Sequence, residues 1–517
     1  MTSKESGEPQ IHRHNIRRHF MKLIYDVADR PTPKQTAVFA LQQMIAIMAA
    51  TLLVPMLITS YGLDADPAAA LFGAGIGSIV YVFLTLKRSP VFLGSSFTFL
   101  GAYAASIQQN YGYWGMMIGI LFAGLVYVVF SLIIKKVGSG WVNKLMPPVI
   151  IGPIVTLIGL SLSGTATSWM STNGGEDYNL LTIFAGLFTF LMIVVASVKG
   201  SQNIKLIPFI VGIGAGYILT LILTLIGRAV DIEMLQILSF QSFSDAFSPL
   251  TIRSFVDIPQ FFFLKAVETN GTYAPVDATA IGNIALIYIP IAVVELAQHI
   301  ADHKNLSSII ERDLIVDPGL DRTLMGDGLG SIIGGFFGGA ANTTYGESIG
   351  CVAITKNASI ITIIYTGIGC MILSFFIPFV ALINSIPKCV MGGACVALYG
   401  FIAVSGLQML KSVDLGNNKN LFIVSSILVC GIGGLTLEIG SNSVTGGSLL
   451  SITSLAMALI VGIITNLVVN NGKPGAIAEE EDIENTDVLT AEVENMGKIR
   501  LTETDGALPD ASEEKHI

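Results

Sequence analysis

Glu295, Gln298, His299 and Asp302 follow one another at offsets of three, four and seven inside an otherwise apolar run. On an α-helix those offsets share one face, with Leu296, Ala297, Ile300 and Ala301 opposite. Two carboxylic acids and an imidazole in one row can accept, donate and pass protons, and the primary amide beside them presents a donor next to an acceptor. A charge at the centre of a lipid-embedded helix costs at least about 2.5 kcal/mol, so such a row must face a cavity or partners. Glu295, His299 and His303 also recur every four residues, as metal ligands can. The hydrolytic signature, however, needs a Glu directly after the first His, and Ile300 stands there. Neither a metal nor another cofactor is expected, and the chain does not read as an enzyme. A row at the cytoplasmic end of its helix, beside His303 and Lys304, would simply be wet; Glu295 and Gln298 sit deeper than that.

A second chemical feature is Asn342-Thr343-Thr344-Tyr345-Gly346-Glu347, and a third is Gly94-Ser95-Ser96-Phe97. Both look like helices broken inside a membrane, where non-helical backbone survives only if it is buried in protein or lines a cavity. The start of a half-helix offers free N–H groups and the positive end of a dipole, which suits polar ligand atoms and a carboxylate. Thr344 to Glu347 also fits a Ser/Thr-x-x-Glu capping box, in which the Glu347 side chain would only return to its own helix.

The elements that must position these groups are membrane spans. Of 517 residues 52% are hydrophobic and only 13% charged, too little polar surface for a soluble chain of this length. Apolar stretches of crossing length fall near 36–60, 66–86, 91–108, 112–134, 145–165, 179–198 and 206–227, then 277–302, 323–340, 342–355, 358–384, 389–410, 420–437 and 446–469. Lys and Arg collect at every second connection, as at Lys87, Lys135, Lys199, Lys304, Lys356 and Lys411, which places both termini in the cytoplasm of a multi-pass cell-membrane protein. Lys388 and the long 228–276 loop depart from the alternation.

An odd number of spans per half makes the halves candidates for an inverted repeat, with the broken segments third in each. The expected fold is therefore an all-α polytopic membrane protein of about fourteen spans in a 7+7 arrangement. Its expected divisions are a basic arm at 1–34, a first repeat at 35–227, an extracytoplasmic loop at 228–276, a second repeat at 277–469 and an acidic tail at 470–517. The basic arm, with His12, Arg13, His14, Arg17, Arg18 and His19, reads as a retained cytoplasmic segment rather than a nucleic-acid or metal site. Cys351, Cys370, Cys389, Cys395 and Cys430 are scattered without pairing or ligand spacing and read as packing residues.

The run Asn342 to Glu347, continued by Ile349-Gly350 and Ala353 to Lys356, closely resembles the signature of the nucleobase/ascorbate transporter family, and most of all its bacterial uracil permease branch. Pro90 to Phe97, Ala297-Gln298-His299, Asp317-Pro318-Gly319, Val390 to Gly393 and Leu398-Tyr399-Gly400 match in the same order, so the resemblance spans about Pro31 to Val469. It implies a core domain of spans one to four and eight to eleven and a gate domain of the rest. It also implies short antiparallel strands in spans three and ten that meet at the substrate, proton coupling, and a homodimer in the lipid bilayer. By the same resemblance Phe97 and Tyr345 would flank a flat base, the amides of Phe97 and Gly346 would meet its carbonyl oxygens, Glu347 would accept from a ring N–H, Tyr399 would line the gate side and Ala50 the first span.

The chain departs from that pattern where it bears on mechanism. Gln298 replaces a base-binding glutamate, Asp302 a histidine, and Ser348 and Lys356 the usual Asn and Arg. A fixed amide can hold a base as a protonated acid would, so proton coupling is expected to run through Glu295, His299, Asp302 or Glu347. The expected substrate is uracil. Xanthine, an uncoupled facilitator, and an anion exchanger or channel on the same architecture are the alternatives.

Overall fold

The computed structural model describes residues 23–138, 147–205, 207–439 and 450–470. The basic residues His12 to His19 and the acidic tail lie outside them. The first set of elements runs α1 (Pro33–Ser60), α2 (Pro67–Leu84), β1 (Leu93–Ser95), α3 (Leu100–Gln108), α4 (Gly112–Val137), α5 (Pro148–Ser161) with its continuation α6 (Ser163–Thr172), α7 (Leu180–Lys199) and α8 (Pro208–Ala229). The second runs α9 (Ala278–Ile310), α10 (Leu320–Gly338), β2 (Asn342–Thr344), α11 (Gly346–Thr355), α12 (Ile360–Leu373) with α13 (Ile377–Asn384), α14 (Lys388–Met409), α15 (Asn418–Ile432), β3 (Leu437–Ile439), β4 (Leu450–Ile452) and α16 (Ser454–Val469). Among the described residues eight helices are long and apolar enough to cross a bilayer, and the chain is a multi-pass, almost wholly helical membrane protein.

Backbone chemistry explains where the helices stop. Pro33, Pro67, Pro148 and Pro208 open α1, α2, α5 and α8 at the one helical position where a missing N–H costs nothing. Asp66, Asn179, Asp277 and Asn417 cap α2, α7, α9 and α15 with side-chain oxygens.

The helices pack in two groups. In one, α2 and α10 cross at the centre, α2 lies on α12 and α10 on α4, while α1 lies on α12 and α9 on α4. In the other, α5 and α14 cross, α14 lies on α7 and α5 on α15, while α7 lies on α8 and α15 on α16. Exchanging each element with its counterpart in the other set maps the two central crossings onto themselves and each remaining pair onto another, the relation an inverted repeat requires.

The α2–α10 crossing is built from glycines. A Cβ on Gly73 would stand 2.3 Å from the Gly334 carbonyl oxygen, and one on Gly77 2.8 Å from that of Gly330. Small residues let membrane helices meet backbone to backbone, where van der Waals packing supplies most of the association.

Two features were not apparent in the sequence. The 228–276 segment is not plain loop: it carries the short helices Gln241–Phe247 and Phe262–Glu268, the second packed on α4. A second antiparallel pair, β3 with β4, precedes α16, in register Leu437 with Ile452.

Candidate functional site

The two broken segments meet. β1 and β2 pair antiparallel, with Leu93 opposite Thr344, Gly94 opposite Thr343 and Ser95 opposite Asn342. A two-stranded ribbon in a membrane has outer edges that lipid cannot satisfy, so neighbouring side chains must do it. The Ser78 hydroxyl accepts from the Leu93 N–H at 2.8 Å. Ser348 Oγ accepts from the Phe92 N–H at 3.0 Å and from Gln43 Nε2 at 2.6 Å. The Tyr103 hydroxyl accepts from the Ala341 N–H at 2.8 Å, and the Ser331 hydroxyl donates to the Asn342 carbonyl. Ser348 thus ties α11 to the residue that leads into β1 and to α1.

Beyond the strands the chain re-enters helices α3 and α11, and the ends enclose a cavity of about 340 Å³, near the lower end of the roughly 300–1,000 Å³ usual for small-molecule sites. Phe97, Tyr345, Gly346, Glu347 and Gln298 line it together, as do Glu295 and Asp302. The opposite wall comes from the other helix group, chiefly Val155 of α5, Phe209 of α8, and Leu398, Phe401, Ile402 and Ser405 of α14. Gly346 opens to the cavity while Tyr345 is buried at 5% exposure, so the first turn of α11 presents its backbone beside an aromatic ring.

The capping alternative for Glu347 is not formed. α11 starts one residue later than a box from Thr344 requires, with Tyr345 as its cap and no capping side chain. Thr344 instead donates its hydroxyl to Asp302 Oδ2 at 3.4 Å, which links β2 to α9. Glu347 is left to face the cavity.

The row on α9 divides. Glu295 is 2% exposed among the hydroxyls of Ser96, Thr98 and Thr343, and its Oε2 has no hydrogen-bond partner. Gln298 and Asp302 share its cavity. α9 runs on to Ile310, so Asp302 does not stand at a frayed, solvated helix end. His299 turns away from the cavity. Its Nδ1 lies 2.6 Å from Asp327 Oδ2 and its Nε2 3.1 Å from Thr323 Oγ1, both on α10. His303 donates from Nδ1 to the His299 carbonyl at 2.8 Å and accepts from the Tyr81 hydroxyl at 2.7 Å, so both histidines have partners of their own.

Two expected lining residues stand elsewhere. Tyr399 is buried behind the wall, its ring edge-on to Phe97 at 6.2 Å, because the stripe of α14 that faces the cavity is Leu398, Phe401, Ile402 and Ser405, about 100° away. Ala50 is buried inside α1 and does not line the cavity, while its neighbour Thr51 stands beside the Tyr345 hydroxyl. Thr98, Thr343 and the α14 stripe were missed; serine and threonine are too common in membrane helices to stand out, and the α14 wall belongs to a different packing group.

The model of the family described as the Permease family matches residues 34–440. The chain belongs to that family. As a member this permease is a transporter and not an enzyme, and it falls within the nucleobase/ascorbate transporters, on the branch of the bacterial uracil permeases. It is 38% identical over 458 residues to a uracil permease of Bacillus caldolyticus, covering 88% of this chain and 96% of the relative. A uracil permease of Bacillus subtilis (strain 168) is 34% identical over 458 residues, covering 87% and 96%. Among solved structures, the transmembrane domain of a cyanobacterium bicarbonate transporter, BicA, superposes with a TM-score of 0.52 at 14% identity, over 86% of this permease and 99% of that chain. At that identity the likeness is one of fold alone.

Proposed function

We propose that this permease imports a nucleobase, uracil in the first place, across the cell membrane by alternating access with proton coupling, as a homodimer with both termini cytoplasmic. One observation carries the reading: a single cavity holds Phe97, Tyr345, Glu347 and the exposed first turn of a half-helix, supplied by the meeting point of two broken spans, with the Gln298 amide of α9 beside them. A pyrimidine is a flat ring with alternating donors and acceptors, and wants aromatic contact with a few fixed polar partners. Gln298 and Glu347 are such partners. An anion exchanger would have no use for three acidic side chains, Glu295, Asp302 and Glu347, on its cavity wall. The names of the curated relatives favour uracil among the bases.

The seam also supports alternating access. The strands, α9 and α11 form one wall and α5, α8 and α14 the other, so sliding one group on the other would open the cavity to either side. Gln298 cannot titrate, which leaves proton traffic to Glu295, Asp302 or Glu347 at the cavity wall. His299, locked between Asp327 and Thr323, takes the part of an orienting residue.

Proteoliposomes loaded with the permease are expected to accumulate labelled uracil when an inward pH gradient is imposed. Glu295→Gln and Asp302→Asn should abolish uphill accumulation while leaving exchange of internal for external uracil. Accumulation that persists in both variants would remove these residues from the coupling step, and absence of uracil exchange in the wild type would sink the nucleobase reading itself.

A second outcome follows from the close approach of Gly94 to Tyr345. A Cβ at Gly94 would stand 2.5 Å from the Tyr345 ring, so Gly94→Ala must displace the aromatic. Calorimetry should show uracil binding weakened about tenfold, or about 1.4 kcal/mol, with the thermal transition little changed.

A further inference from the structure

We propose that the permease holds a second compartment for the same planar heterocycle, on the far side of Phe97, and that the Phe97 ring, backed by Tyr399, is the partition between the two. This rests on the nucleobase-carrier reading. The second cavity measures about 200 Å³, room for several waters at about 30 Å³ each. Phe97 and Thr98 line both cavities, so a single side-chain layer separates them. Tyr399 lines neither cavity and backs that layer, its ring meeting Phe97 edge-on at 6.2 Å and 71°.

The two cavities lie along one seam. The second is walled on one side by Tyr61 at the end of α1 and by Leu100 and Gly101 of α3, and on the other by Ser161, Thr165 and Thr453 at the ends of α5, α6 and α16. These are the same two packing groups that bound the first cavity, which reaches instead toward Ser405 in the last turns of α14. The cavities therefore approach opposite faces of the membrane. Hydroxyls on an otherwise apolar wall are suited to a small heterocycle that needs a few hydrogen bonds and no counter-charge.

The partition is placed where it can move. Phe97 lies in the link between β1, which ends at Ser95, and α3, which starts at Leu100, so turning its ring breaks no ladder bond. Tyr399 is buried behind that ring with its hydroxyl beside Cys395. A base entering from the second compartment would displace Phe97 and come to rest against Tyr345 and Glu347.

Gly101 offers the test, because it lines the compartment and a Cβ there meets nothing within 4 Å. Gly101→Phe should cut uracil transport in proteoliposomes at least about tenfold, while the detergent-solubilised variant binds uracil within about twofold of wild type. Gly101→Ala should transport normally, showing that filled volume is the cause. Transport by Gly101→Phe within about twofold of wild type would overturn the proposal, and so would affinity lost in parallel with transport, since the two spaces would then be one site. Wild-type protein that binds no uracil in the same series would fail the nucleobase reading, a result separable from either.

Discussion

Glu347→Gln is expected to raise the dissociation constant for uracil by about 10- to 100-fold, the equivalent of roughly 1.5–3 kcal/mol for a hydrogen bond to a charged group. The substitution keeps the shape of the side chain and changes its chemistry, since an acceptor opposite a ring N–H becomes a mixed donor and acceptor. Glu347 sits in the first turn of α11, at the positive end of that helix, with Gly346 exposed beside it. A structural role is distinguishable from a binding role. Were Glu347 only stabilising α11, the variant would lose thermal stability in the absence of uracil and keep its affinity. Calorimetry on the purified permease, paired with a melting curve without ligand, separates the two, and unchanged affinity would remove Glu347 from the site.

Gly73→Leu is expected to prevent accumulation of folded protein altogether. A single added Cβ already stands 2.3 Å from the Gly334 carbonyl oxygen and 3.2 Å from the Gly338 amide nitrogen, both backbone atoms of α10 that cannot turn aside. A leucine there forces α2 and α10 apart, and overpacking of even one or two methylenes in a tight interior costs about 1–3 kcal/mol. The damage reaches the site directly, because α2 supplies Ser78 to β1 and α10 supplies Ser331 to β2. Fluorescence-detected size exclusion of the tagged permease should show the monodisperse peak lost for Gly73→Leu and retained for Gly282→Leu, where an added Cβ meets nothing within 4 Å. An intact, uracil-binding Gly73→Leu protein would contradict the helix crossing.

Glu295, Gln298 and Asp302 were legible in the sequence because helical spacing is a local property, and polar atoms in an apolar span need an explanation. The same logic exposed Gly94 to Phe97 and Asn342 to Glu347. Local spacing could not separate His299 from the rest of its row. What separates it is Asp327, 28 residues away on α10, at 2.6 Å from its ring. Nor could it distinguish Tyr399 from Leu398, since neighbours on α14 differ only by the 100° turn that aims one at the cavity and the other at Phe97.

By itself, the sequence determined that this is a membrane transporter with two interrupted spans and a polar stripe, because lipid tolerates neither free backbone nor idle charge. The tertiary structure alone decided which stripe residues share the cavity, which Ser and Thr satisfy the strand edges, and where α14 closes the opposite wall. Those choices depend on how helices hundreds of residues apart in the chain dock, and at the α2–α10 crossing docking is set by backbone approach at Gly73 and Gly334 rather than by any local pattern.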